Sequence, residues 1–205
     1  DLGGYLESEN NLSHEGKCWI LGNARIWGNA RISDNASVSD NASVWGNARV
    51  WCNANVWGSA SISGNANVSD NASVWGNASI SDNVSVWGNV SISGNASISD
   101  NVSVWGNARI SDNASVWGNA SIWGDVEIKT NKDYICIGPL GNCSRIITYI
   151  FQSQQVSVGC FLGSLDELKV RVKEKYGDVS DYYPAINYLK NLEAEYINNQ
   201  FKDGK

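Results

Sequence analysis

From Lys17 to Thr130 the chain is a single six-residue unit repeated without interruption: 114/6 gives 19 hexads, more than half of its 205 residues. Read from Asn23 the units run NARIWG, NARISD, NASVSD, NASVWG, NARVWC, NANVWG, and the phase holds to DVEIKT. Within N-A-x-[V/I]-[W/S]-[G/D] the physical roles separate. The β-branched Val or Ile suits extended, half-buried backbone. Ala, two residues earlier, points to the same face of a strand. Ser, Arg, Asn or Trp, between and after them, must point outward. Gly or Asp followed by Asn supplies turn chemistry, because these residues tolerate φ > 0 and bond locally to backbone. Each hexad is therefore one very short strand and one corner. Such a strand cannot bury its face alone, so successive coils must stack at ~4.8 Å and pair through their backbones.

Units such as V-S-D-N-A-S-V and I-S-G-N-A-S-I resemble the hexapeptide repeat of left-handed parallel β-helices. That resemblance implies inward aliphatic and small residues and three hexads per triangular coil. With 18 residues per coil, 114/18 gives about six coils, a prism roughly 30 Å long. The expected fold class is mainly β, a left-handed parallel β-helix over residues 17–130 followed by a small α+β domain.

The flanks follow different rules. Residues 1–16, DLGGYLESENNLSHEG, are polar and carry four acids (Asp1, Glu7, Glu9, Glu15). Asn11 to Gly16 fits the phase weakly, with Leu12 at the alanine position and His14 at the Val/Ile position. Terminal repeats of a solenoid must be atypical to close an apolar end, so this segment reads as an N-terminal cap with His14 as part of it. Over residues 131–205 the period is lost. Tyr134 to Ile137, Arg145 to Phe151 and Gln155 to Leu162 read as three strands around the turn-forming GPLGNCS. Ser164-Leu165-Asp166-Glu167 is a capping box, with Leu165, Leu168, Val172 and Tyr176 at helical spacing and Gly177 as a stop. A second helix is expected after an Asp181 cap, with Pro184 in its first turn, Ile186, Leu189, Leu192 and Tyr196 on one side, and a polar tail beyond.

The pairing of repeat and C-terminal domain resembles a group of bacterial and prophage proteins of largely unassigned function. The segments that carry the likeness are DLGGYLESENNLSHEG, ICIGPLG at Ile135–Gly141 and VGCFLGSLDEL at Val158–Leu168. It implies a bacterial cytoplasmic or phage-associated setting.

Composition excludes several classes. A net charge of −6 with 18% charged residues provides no clustered basic footprint for nucleic acid. No apolar run approaches the ~20 residues of a membrane span. The five cysteines (Cys18, Cys52, Cys136, Cys143, Cys160) are odd in number and form no C-x-x-C pair, so neither a disulfide framework nor a zinc site is expected and the thiols are expected free. Cys18 reads as a small core residue, Cys52 as a replacement for a turn glycine, and the other three as core packing of the C-terminal domain. Many N-x-S sequons, as at Asn35 and Asn71, would crowd glycans on stacked turns, so a eukaryotic secretory route is not expected. The chain begins at Asp1 and holds no Met, so upstream residues are expected to have been removed.

The β-helix resemblance brings two enzyme classes to test. Hexapeptide acyltransferases commonly use a histidine base beside a projecting loop, whereas this chain has one histidine outside the clear repeats and no insertion in the hexads. The carbonic anhydrase type needs three histidine ligands on zinc, which one histidine cannot supply. No catalytic residue, metal or cofactor is expected. The Ser-Val-Ser units resemble the hydroxyl arrays of ice-binding β-helices, but tryptophan interrupts a flat array. Nine of ten tryptophans follow the inward Val or Ile. At 18-residue spacing Trp27 falls over Trp45, Trp57 over Trp75, and Trp87 over Trp105 and Trp123, one ladder on each of three faces. These seven are the candidate binding residues. The expected protein is a non-enzymatic structural or interaction protein, presenting Trp/Ser faces to sister subunits (a trimer by resemblance) or to a protein partner. The alternatives are an acyltransferase relative and a carbohydrate-binding module. Asn recurs at the turn in 16 of 19 hexads, which predicts vertical amide ladders.

Overall fold

The computed structural model describes residues 3–141, 144–177 and 180–203; Cys143 lies outside them. The chain divides into two units, Asp1–Asn131 and Lys132–Lys205.

The first unit is a parallel β-solenoid of about seven turns. Its strands form three seven-stranded sheets, each taking every third strand in sequence. The first face starts at Tyr5–Leu6 and Arg25–Ile26, the second at Leu12–Gly16 and Arg31–Asp34, and the third at Trp19–Ile20 and Ser37–Val38. From the third coil on, register is kept at 18 residues, as in Ser61↔Ser79 and Ile62↔Ile80. Side-chain alternation then sends Ala and Val/Ile inward at every hexad. From Ala24 to Ile122 each of these positions is at most 1% exposed. Val84, Val90 and Val102 replace Ala in this core and are fully buried. All eighteen corner residues from Gly22 to Gly124 adopt φ between 56° and 98°. Gly, Asp and a single Cys occupy them, which is why the corner position tolerates so little else.

The solenoid begins earlier than the repeat does, giving about seven turns rather than six. Tyr5–Leu6 pairs with Arg25–Ile26, and Leu12–Gly16 with Arg31–Asp34. Leu12 lies opposite Ile32, not in an alanine position, so the offset is 32 − 12 = 20; at Gly16↔Asp34 it has returned to 34 − 16 = 18. Two extra residues are absorbed by an irregularity within this strand. The N-terminal segment is fastened to the next coil by Asn11, the last residue of a 3₁₀ turn, Glu9–Asn11, capped by Ser8. Asn11 is 1% exposed. Its Nδ2 donates to the Gly28 and Ala30 carbonyls at 3.0 and 2.8 Å, and its Oδ1 accepts from the Ser8 N–H at 2.8 Å.

The second unit packs two helices on a four-stranded antiparallel sheet. The sheet holds Tyr134–Leu140, Arg145–Ile150, Gln155–Val158 and Phe161–Gly163. The run from Gln155 to Leu162, expected as one strand, is a hairpin: Gly159 at φ 59° turns the chain and Val158 pairs with Phe161. Helix α1, Leu165–Tyr176, carries the capping box, and Gly177 ends it by donating to the Lys173 carbonyl. Leu165, Leu168 and Val172 are buried, whereas Tyr176 is exposed and stacks on Tyr182. Helix α2, Tyr182–Asp203, takes up most of the expected polar tail. Ser180, not Asp181, receives the Tyr182 N–H. Ile186 and Leu189 are buried with Ile147, Tyr149 and Val156, while Leu192 and Tyr196 are half-buried, Tyr196 against the Phe151 ring. Tyr149 donates to Glu193, and burial together with that carboxylate pushes its phenol up. Cys136 and Cys160 lie outside the helix-covered core: Cys136 is across from the buried Thr148, its sulfur 3.6 Å from that hydroxyl, and Cys160 sits in the hairpin turn.

Candidate functional site

Three outward features are built by the 18-residue register: aromatic columns, amide columns and a groove at the N-terminal coils. The aromatic columns form as expected. Trp27–Trp45, Trp57–Trp75 and Trp87–Trp105 stack with ring centroids 4.9, 5.0 and 5.0 Å apart and planes within 3° of parallel; Trp105–Trp123 stacks at 5.3 Å and 29°. Centroid spacing thus follows strand spacing. Each stack lies on a different sheet, and apart from Trp27 its members are only half exposed, because neighbouring indoles cover one another. Within each stack the paired ring faces cover one another, while the ring edges and one face of each end ring are not covered by an indole. Stacking contributes ~0.5–1.5 kcal/mol per pair beyond burial. Trp51 is different. Its column neighbours are Ser33 and Ser69, and it is 42% exposed.

At the corners, eleven Asn Nδ2 groups each donate to the Oδ1 of the Asn 18 residues later, over 2.9–3.2 Å. Two columns run unbroken, Asn29–Asn47–Asn65–Asn83–Asn101 and Asn35–Asn53–Asn71–Asn89–Asn107; Ser59 divides the third into Asn23–Asn41 and Asn77–Asn95–Asn113. Aspartates at the preceding corner position add a second kind of inter-coil bond. Asp40, Asp70 and Asp100 accept from the N–H groups of Gly58, Gly88 and Gly118 at 2.8–3.0 Å. Cys52 stands between Asp34 and Asp70 in its column; its N–H donates to Asp34, and its side chain is half-buried. Cys18, expected in the core, is also half-buried and lies 3.2 Å from the Ser13 carbonyl.

The groove was not anticipated from sequence. It is an open groove of about 710 Å³ at the start of the second face, where the irregular strand Leu12–Gly16 pairs with Arg31–Asp34. Its lining takes Arg31, Arg49, Trp51 and Asn67 from the regular coils and Glu9, His14 and Glu15 from the N-terminal segment. Arg31 and Arg49 are in-register neighbours. Neither guanidinium has an ion pair or hydrogen bond among the described residues. His14 is exposed, and nothing among the described residues orients its imidazole. The signal for this cluster was present in the spacing, since 49 − 31 = 18 repeats the register of the tryptophans. The N-terminal part of the lining was hidden, because its strand is out of phase.

No protein-family model matches the chain, and no curated protein sequence matches it.

Proposed function

We propose that this is a non-enzymatic structural or interaction protein, a hexapeptide-repeat prism of the left-handed kind that its repeat resembles. In this reading the prism carries the C-terminal domain and offers its Trp/Ser faces to sister subunits or to a partner protein. The observation that carries it is the set of Trp columns. Residues that could have been Ser, as they are in eight of the 19 hexads, are instead large aromatic groups in register on all three faces. Aromatic edges held rigidly in this way suit protein contact surfaces, where rigid rings lose little entropy on binding. A homotrimer and a bacterial or prophage setting accompany the two resemblances. Light scattering across a concentration series tests the sister-subunit arm, with a closed oligomer expected that Trp75→Ser with Trp105→Ser weakens. A monomer at every concentration would remove that arm.

Two alternatives are weaker. Carbohydrate binding on the ladders would have only one face of each end ring, because the stacks turn the other indole faces toward one another; quenching of Trp fluorescence by neutral glycans is expected to be absent. An acyltransferase relative draws support only from His14 lying in the groove. Titration with acyl-CoA is expected to give neither heat nor thermal shift.

A further inference from the structure

In most hexads the outward position before Val or Ile is Ser or Asn, and the repeats hold no Lys or Arg between Arg49 and Arg109. On the second face that position is arginine in two successive coils, Arg31 and Arg49. Like charges directly opposite on paired strands are destabilising, and neither guanidinium makes an ion pair among the described residues. An arginine fork matches a planar oxyanion bidentately. Two residues after Arg49, just past the end of the strand Arg49–Val50, comes Trp51, a tryptophan with no indole in the adjacent coils of its column. The groove that these three line is about 710 Å³, within the ~300–1,000 Å³ of small-molecule sites. The rest of its wall is rich in hydroxyl, amide and carboxylate groups, with Ser33 and Asn67 from the regular coils and Glu9 and Glu15 from the N-terminal segment. Such a wall can exchange hydrogen bonds with many ligand hydroxyls.

We propose that this groove binds an acidic sugar, its oxyanion between Arg31 and Arg49 and the apolar face of its ring against Trp51. The oxyanion supplies the direct ion-pair partner that the two arginines lack among the described residues, and the Glu9 and Glu15 carboxylates accept from sugar hydroxyls. This site is independent of the scaffold reading, which concerns the Trp columns. Calorimetric titration of the full chain with glucuronate, glucose 6-phosphate, glucose and inorganic phosphate tests it, with the Trp51 indole N–H followed by NMR. At least one acidic sugar is expected to bind tenfold or more tighter than glucose and than phosphate, to shift the Trp51 signal, and to weaken with salt. Comparison of the two acidic sugars tells a carboxylate from a phosphate preference. Arg31→Gln with Arg49→Gln should lower affinity at least tenfold while melting no lower than the parent, since a repulsion is relieved. Trp51→Ser should remove the advantage of the sugar over inorganic phosphate. Failure of both acidic sugars to bind, equal binding of glucose or phosphate, or unchanged affinity in the double arginine variant would overturn the proposal.

Discussion

At the scale of single residues, the corners decide what each position accepts. Gly64 has φ +67°, and a Cβ there would lie 2.5 Å from the Asp82 backbone nitrogen, whereas at Gly118 (φ +77°) a Cβ would meet nothing within 4 Å. Gly118→Ala should therefore cost only the left-handed penalty, ~1–2 kcal/mol. Gly64→Ala should cost clearly more, because two coils must also separate; thermal melts of the pair measure the difference. Cys52 is the one corner residue that is neither Gly nor Asp, at φ 56°. Relief of that conformation in Cys52→Gly is expected to raise stability by up to ~1 kcal/mol, provided the chain is compared under reducing conditions. These positions were legible in the sequence, since alternation of Gly and Asp before Asn has one physical reading. The order of Gly and Asp within a column was not. It depends on which carboxylate meets which N–H in the next coil, and that contact exists only after coiling.

For the elements, regular strands were readable and closures were not. The cap's pairing was obscured because Leu6 and Leu12 sit 20 residues from their partners, and no periodic signal survives such a shift. Asn11 is the clearest case: in sequence it is one more polar residue, while in the fold its buried amide ties the Ser8 N–H to the Gly28 and Ala30 carbonyls of the next coil. Asn11→Asp replaces two donors by a carboxylate facing two carbonyls, which should cost more than the ~1–3 kcal/mol of a single unsatisfied buried group. Hydrogen exchange should show the first coils fraying while later coils stay protected. In the second unit, the α1 box was readable in full. The backbone N–H and hydroxyl of Ser164 beside Glu167 hold its carboxyl below the usual glutamate range, and Lys190 does the same for Asp166. Because both folded values are depressed, the stabilisation is complete above the ordinary carboxylate range near pH ~4. It is lost as pH falls through the lowered values. Exchange protection of α1 should decline in that acid window, and Ser164→Ala should cost ~1 kcal/mol at neutral pH.

On the scale of the whole chain, each unit has its own core, so damage should stay within the unit that suffers it. Ile62→Ala, at a fully buried solenoid position, and Leu189→Ala, in the α/β core, should each cost ~2–5 kcal/mol. Calorimetry is expected to show that each lowers a different transition; a single transition lowered equally by both would refute independent units. The groove belongs to this scale as well. Its arginines and Trp51 could be collected from the sequence by register alone, but its N-terminal lining could not, because a repeat specifies only what lies one coil away.

The Asn columns have one further property. Every amide hands its proton toward the later coil, so the three columns carry side-chain dipoles that add instead of cancelling. Their oxygen ends point toward the first coils, where Arg25, Arg31 and Arg49 stand, and their nitrogen ends toward the last. The solenoid thus has an electrical direction as well as a chain direction, and its two ends are chemically unlike. Any end-to-end association of two copies that continued these columns would have to run head to tail.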